Sequence, residues 1–359
     1  MLEKIYFLSP TILLSKTSIN QLLGLTAEYA LGRDCTAMAP LKISVVINTY
    51  NRCHSLPLTL AGLERQTYSD FEVIVVNGPS HDETELVLEK FRSKIRVGTC
   101  PEACIGLSRN IGIEIAAGDV VAFVDDDGVP RDAWLETIAS GYSNEAVSAV
   151  GGFVFDAKNR CIQWAVCTCS REGNVLTDTP PPYARYQGKR SDPFLYFPGC
   201  NMSFRRACLT AVGGFNEQIS ACYDDVEICC RLHDAGHNFS VLSTAIVDHR
   251  IERNSLRDDH RVHRDLYSFF RDCSIFVMQN REPPPSPEET ISIVRRIAAD
   301  WRSIAEGQLQ NGVFTRPEFD RFCSRMEEGI IDGIRVGSSS RPMSDFSPPV
   351  SKTFRHFKR

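Results

Sequence analysis

The chain is predicted to be an α/β protein built on a mostly parallel sheet with helices on both faces, followed by further helices. Two observations carry that expectation. Between residues 43 and 124, apolar runs of strand length alternate with helix-length amphipathic stretches, which is the pattern of right-handed βαβ units. The fourth strand, "VVAFV", then runs straight into Asp125, Asp126 and Asp127. Ligands in open α/β sheets sit beyond the carboxyl ends of the strands, so these aspartates stand where a site is expected.

Residues 1–40 read as an N-terminal extension of weak pattern. Its "IYFLSPTILL" is short, broken by Ser9 and Pro10, and lacks the basic start and small-residue cleavage site of a signal peptide. "ISVVIN" (43–48) is the first buried strand, followed by the loop "TYNR" and a helix through "LPLTLAGLERQ". "FEVIVVN" (71–77) is the second strand. In the helix that follows, Ser80 and Glu83 have the spacing of a capping box. "IRVGTC" is a third strand, and "GLSRNIGIEIAAG" is a helix closed by Gly118.

The second half is less regular. "AVSAVGGFVF" reads as a strand, 158–195 as loop-rich, and "PGCNMSF" as a lead into a helix through "RRACLTAVGG". "YDDVEICCRLHDAG" is a helix ended by Gly236, and "NFSVLSTAIVDH" is a strand ending in His249. Helical patterns follow over 255–280, 287–308 and 316–330, with "EPPPSPEE" as a break because consecutive prolines cannot continue a helix. The expected organisation is an extension over 1–40, an α/β domain over 41–254, a helical region over 255–335 and a disordered basic tail over 336–359.

A hydrophobic fraction of 43% with 24% charged residues is that of an ordinary soluble globular protein, and the formal charge of −5 argues against a general nucleic-acid binder. The 14 cysteines form no CxxC pair, so reduced thiols in a cytosolic protein are expected. No apolar run approaches the ~20 residues of a membrane-spanning helix. The tail "SKTFRHFKR" mixes basic residues with Phe354 and Phe357. It reads as a solvated end, with peripheral contact to anionic lipid at the cytoplasmic face as the alternative.

Hard oxygen ligands clustered at a strand end suit Mg²⁺ or Mn²⁺, and a bound cation removes the repulsion among them. Capping of "RDAWLETIAS" needs one aspartate, not three. Asp224, Asp225 and Glu227 open a helix, where the dipole favours negative charge. The Gly- and Asn-containing segment before them makes a general base the competing reading. His249 ends a strand, as the aspartates do, and could complete a metal site. Arg109 offers a fixed fork of donors to phosphate oxygens.

In order, "VVINTYNR", "FEVIVVNGPSHDET", "GLSRNIGIEIAAGD", "FVDDDGVP", "FPGCNMSFRRACLTAVGGFNE", "YDDVEICCRL" and "IVDH" resemble the family 2 glycosyltransferases of GT-A fold. The resemblance spans residues 43 to about 250. It implies a nucleotide-diphospho-sugar donor, a divalent cation, inversion at the anomeric carbon, and a glycan or lipid-linked acceptor. Carried over by position, Thr49, Tyr50 and Arg52 lie in the first nucleotide loop. Asn77 and Ser80 stand where the family has an acidic base- and ribose-binding motif, and Arg109 and Asn110 match the donor-binding helix. Asp125, Asp126 and Asp127 match the DxD motif, with Asp125 and Asp127 as metal ligands and Asp126 on the donor side. His249 matches a histidine that contacts metal or diphosphate in some members.

The acidic pair matches at Asp224 and Asp225, with Asp225 the expected base and Asp224 the fallback, since this pair reads Asp-Asp where the family has Glu-Asp. A nucleotidyltransferase would carry a Gly-rich phosphate loop with a lysine near its first strand, and "INTYNRCHS" has neither. A non-catalytic sugar- or nucleotide-binding relative would not be expected to keep the aspartate cluster, the acidic pair and His249 together.

Overall fold

The computed structural model describes residues 41–179, 193–346 and 353–357; the N-terminal extension expected over 1–40 lies outside them. Strand β1 (Ile43–Thr49) lies between β2 (Phe71–Asn77) and β4 (Val120–Phe123), parallel to both, and β3 (Arg96–Thr99) continues the parallel array beyond β2. Helices α1 (Leu56–Glu64), α2 (Thr84–Phe91) and α3 (Ile105–Ile115) make the crossovers.

Period-two alternation splits the strands between two cores. Val46, Ile74 and Phe123 pack on the α3 side with Ile113, whereas Val45, Ile47 and Val73 pack on the side of α1 and α2 with Leu60 and Leu88. Helices on both faces explain why these strands read as continuous apolar runs.

Beyond β4 the sheet becomes mixed. β11 (Met202–Arg205) runs antiparallel between β4 and β6 (Val147–Asp156); β12 (Asn238–His249) pairs parallel with β6; β5 (Gly128–Pro130) forms the far edge, antiparallel to β12. β7 (Cys161–Trp164) adds antiparallel to β6. The order is β3-β2-β1-β4-β11-β6-β12-β5, a nine-stranded sheet in which only β5, β7 and β11 oppose the common direction. Helices α4 (Trp134–Gly141), α5 (Arg206–Ala211) and α6 (Asp224–Asp234) cover this half.

Three expectations are corrected and one is extended. "MSFR" leads directly into helix α5, as expected, and is itself the inserted strand β11; its four residues are too short to show a period in sequence. The segment 158–195 holds β7 and a second, three-stranded antiparallel sheet of β8 (Cys167–Cys169), β9 (Val175–Leu176) and β10 (Phe194–Tyr196). Ser80 forms no capping box. α2 starts at Thr84, whose backbone N–H is accepted by Asp82 Oδ1 at 3.0 Å, while Ser80 binds Asn77 and the Asn51 backbone. The helical pattern over 255–280 resolves into a loop to Leu266 and helix α7 (Tyr267–Asn280).

Helices α8 (Pro287–Gln310) and α9 (Arg316–Gly337) each begin with a full capping box, Ser286/Glu289 and Thr315/Glu318. Trp301, Phe322, Met326 and Ile330 join the same core as the α3 side of the sheet, so the C-terminal helices are continuous with the α/β domain.

The tail expected to be disordered is tied down where it is described. Phe357 is 2% exposed, its ring centroid lies 5.5 Å from that of Phe71, and its backbone N–H donates to Phe71 O at 3.0 Å. The Arg355 backbone N–H donates to Glu72 Oε2 at 3.2 Å and its guanidinium to Ile95 O at 3.1 Å. One of the two phenylalanines considered for lipid contact is therefore a core residue. Phe357→Ala should cost roughly 3 kcal/mol, the low end for emptying a buried phenylalanine site, read as a lowered urea midpoint at unchanged m-value.

Candidate active site

The carboxyl ends of β1 and β4 open into a cleft of about 1300 Å³. Asp125, Asp127 and His249 meet there, with one ligand atom from each within 4.8 Å of the others. β12 pairs with β5 so that His249 sits opposite Gly128; this register brings the histidine to the DDD turn. His249 Nε2 lies 3.3 Å from Asp127 Oδ1. On the other side of the ring, Nδ1 is 2.8 Å from Gln163 Oε1. An amide oxygen only accepts, so Nδ1–H donates to it, which turns Nε2 toward the aspartates.

Burial works against ionising Asp127, but the His249 imidazole and the Glu252 backbone N–H, which donates to Oδ2 at 2.9 Å, hold its carboxyl well below the usual range. Two hard carboxylates and an oriented imidazole nitrogen are a donor set that fits Mg²⁺ or Mn²⁺.

Asp126 faces elsewhere. Its Oδ1 lies 3.4 Å from Arg52 Nε, and the Thr49 side chain stands beside it. Burial and the neighbouring Asp127 push its carboxyl well above the ordinary value. Thr49, Tyr50 and Arg52 all line the cleft, Tyr50 being 43% exposed at its mouth.

Arg109 connects the two acidic segments. It is 4% exposed, lies over the rings of Phe123 and Phe215 at 5.4 and 5.3 Å, and places Nε 3.0 Å from Asp224 Oδ2 and Nη2 3.9 Å from Asp125 Oδ1. The contact to Asp224 is an ion pair not aligned as a hydrogen bond, since neither atom has a hydrogen-bond partner. A Cβ on Gly199 would come within 2.5 Å of Arg109 Nη2, so only glycine lets this loop approach the guanidinium.

The same glycine's N–H donates to Asp225 Oδ2 at 2.9 Å, and the Val226 N–H donates to Oδ1 at 2.8 Å. Enclosure and the charge of Asp224 push Asp225 up to about 7. The structure thus separates the acidic pair: both line the cleft, but Asp224 is paired with Arg109 while Asp225 has a raised proton affinity. At the head of α6, Tyr223 adopts a left-handed backbone (φ 62°).

The remaining expected donor residues stand behind the cleft. Asn77 accepts from Ser80 at 2.8 Å, and Ser80 accepts the Asn51 backbone N–H at 2.9 Å; neither lines the cleft, and together they brace the first loop. Asn110 is 4% exposed. It exchanges hydrogen bonds with the backbone of Phe215 and reaches Glu217 and Ser344. It belongs to the frame, because Asn on α3 one position after Arg109 points a different way round the helix.

Sequence reasoning missed Asn48, whose amide donates to Ser108 Oγ at 2.6 Å at the cleft wall, as well as Gln163 and Asp272. Asp272 on α7 accepts the N–H groups of Ser220, Ala221 and Cys222 at 3.1, 2.8 and 3.0 Å, fixing the loop that leads into Asp224. A polar residue inside an apolar helical pattern was the available signal for Asp272. Gln163, on a strand sequence patterning did not reveal, gave none.

This sheet order, with a cation-ready trio and an acidic pair facing one cleft, defines a glycosyltransferase of the GT-A fold. More particularly, residues 44–213 match the model "Glycosyl transferase family 2". A glucosyl-dolichyl phosphate glucuronosyltransferase of Haloferax volcanii is 27% identical over 270 residues, covering 69% of this chain and 81% of the relative. A validoxylamine A glucosyltransferase of Streptomyces hygroscopicus subsp. jinggangensis is 24% identical over 349 residues, covering 88% of this chain and 76% of the relative. The crystal structure of GalNAc-T7 with UDP, GalNAc and Mn²⁺ shares the fold at a TM-score of 0.50 and 15% identity, over 66% of this chain and 48% of that one.

Gln163→Ala should weaken Mn²⁺ binding by about 10–100-fold, the usual effect of losing a partner that orients a metal-ligating histidine, measured by calorimetry on the protein without nucleotide. Asp225 supplies a stability test. The folded protein holds its proton more tightly than the unfolded chain, so its contribution falls as pH rises from 3.8 toward about 7. Asp225→Asn should therefore melt higher than the wild type at pH 8, with the gain shrinking at pH 5.

Proposed function

We propose that the protein is an inverting, metal-dependent glycosyltransferase that moves a sugar from a nucleotide-diphospho-sugar to a hydroxyl of a glycan or lipid-linked acceptor. The observation that carries this reading is the shared cleft: Asp225 faces the same space as Asp125, Asp127 and His249. When bound by that trio, Mg²⁺ or Mn²⁺ would offset the charge of the donor's diphosphate as it leaves.

Asp225 receives the proton of the acceptor hydroxyl while that oxygen attacks the sugar's anomeric carbon and the bond to the diphosphate breaks. Its raised proton affinity suits a base working near neutral pH. With Asp224 held by Arg109, Asp225 is the member of the pair free for chemistry, which supports a single displacement and hence inversion. Thr49, Tyr50 and Arg52 border the nucleotide side.

Arg257 supports an anionic ligand in the cleft. Of the five arginines on 250–264, Arg250, Arg253, Arg261 and Arg264 each have a carboxylate at 2.8–3.5 Å. Arg257 lines the cleft, gives its Nε–H to Glu252 O at 3.2 Å, and pairs with no carboxylate among the described residues. It is placed to meet a diphosphate.

The cytoplasm is the proposed setting, since the 13 described cysteines are all free thiols. No helix among the described residues is long and apolar enough to cross a membrane.

Asp225→Asn should lower transfer by roughly 10²–10⁴ while Mn²⁺-dependent nucleotide binding is kept, assayed as product formation beside a thermal-shift panel of UDP-, GDP-, dTDP- and CMP-sugars. Transfer at the wild-type rate would remove Asp225 as the base. Transfer unaffected by EDTA would remove the metal.

A further inference from the structure

A cleft of about 1300 Å³ exceeds the roughly 300–1,000 Å³ usual for a small-molecule pocket, and its two sides differ in chemistry. The side built from β1, β4 and α3 carries Arg52, Arg109 and the three successive aspartates. The opposite side comes from β7, the β8–β9 hairpin, the 250–266 loop, α7 and α8. It presents Trp164, Val175, Leu176, Leu256, Phe269 and Trp301 beside charged groups that include Arg257 and Asp300.

This apolar side is contiguous with the acidic pair. The Trp301 ring lies 5.9 Å from Phe269, Phe269 lies 5.4 Å from Tyr223, and Tyr223 immediately precedes Asp224. The Tyr223 hydroxyl donates to Gly173 O at 2.8 Å, joining the hairpin to the same surface.

One feature of this side points to a ligand. Leu176 is 51% exposed at the cleft wall, where hydration of its side chain is unfavourable. With the aromatic rings beside it, this wall matches a molecule that carries a hydrocarbon group.

Resting on the transferase reading, we propose that this side is the acceptor subsite and that it selects a hydroxyl compound bearing an alkyl or aryl group close to the reacting alcohol. The apolar group covers Leu176 and Phe269, and the reacting hydroxyl is directed to Asp225. A free sugar would fill only the polar part of the subsite.

The test uses the full chain with Mn²⁺ and two independent arms. Thermal shift with UDP, GDP, dTDP and CMP examines the nucleotide side; no stabilisation by any of them counts against the transferase reading itself. Calorimetry with D-glucose, phenyl β-D-glucoside and n-octyl β-D-glucoside, the last kept below its micelle concentration, examines the acceptor side.

At least one of the two apolar glycosides should bind about tenfold or more tightly than glucose, the worth of burying roughly two methylene groups. A preference for octyl alone identifies a chain-bearing acceptor, and parity of octyl with phenyl identifies a compact one. Leu176→Asp should abolish the preference. Leu86→Asp, at a leucine 61% exposed on α2 and outside the cleft lining, should leave it intact. Equal binding of all three probes, a preference that survives Leu176→Asp, or one that Leu86→Asp removes would overturn the subsite.

Discussion

Arg109 is buried among charges that would otherwise expel one another. Asp125 comes from the end of β4 and Asp224 from the head of α6, and the guanidinium lies between them, seated on the adjoining rings of Phe123 and Phe215. Burying an ion pair is seldom a gain over well-packed apolar residues. Removing one partner, however, leaves an uncompensated buried charge costing about 3–5 kcal/mol. The arrangement is therefore hard to vary piecemeal. Gly199 must stay small to let its loop approach the guanidinium, and the same loop then holds Asp225 through a backbone N–H. One cation thus pairs with Asp224, while Asp225 is held by backbone N–H groups.

The parallel half of the fold was legible because its strands are buried on both faces and its helices obey a helical period, so pattern and structure coincide. The inserted strand β11 was not. Its register depends on β4 and β6, which flank it in space and not in sequence. The small sheet β10-β8-β9 was hidden for a similar reason, as strands of two or three residues are defined by their partners and not by their own composition.

At the site, the charged residues could be read directly. Asp125, Asp127, Asp225, His249 and Arg109 do converge on one cleft. What the linear pattern did not separate was contact from support. Asn77, Ser80 and Asn110 lie beside residues that face the cleft, yet their side chains tie loops together behind it. The C-terminal helices were read as an appended region. Asp272 shows them to be part of the frame, because three successive backbone N–H groups before Tyr223 end on its carboxylate.

Tyr223 gives this frame a mechanical property. Its left-handed backbone is a conformation that a non-glycine residue holds only when its surroundings enforce it. Here the enforcement comes from both directions: Asp272 clamps the residues before it, and its own hydroxyl is anchored to Gly173 on the hairpin. A shift of that hairpin pulls on a taut joint whose next two residues are the acidic pair. The hairpin and the head of α6 therefore share one anchor, so the position of the first is built into the placement of the second.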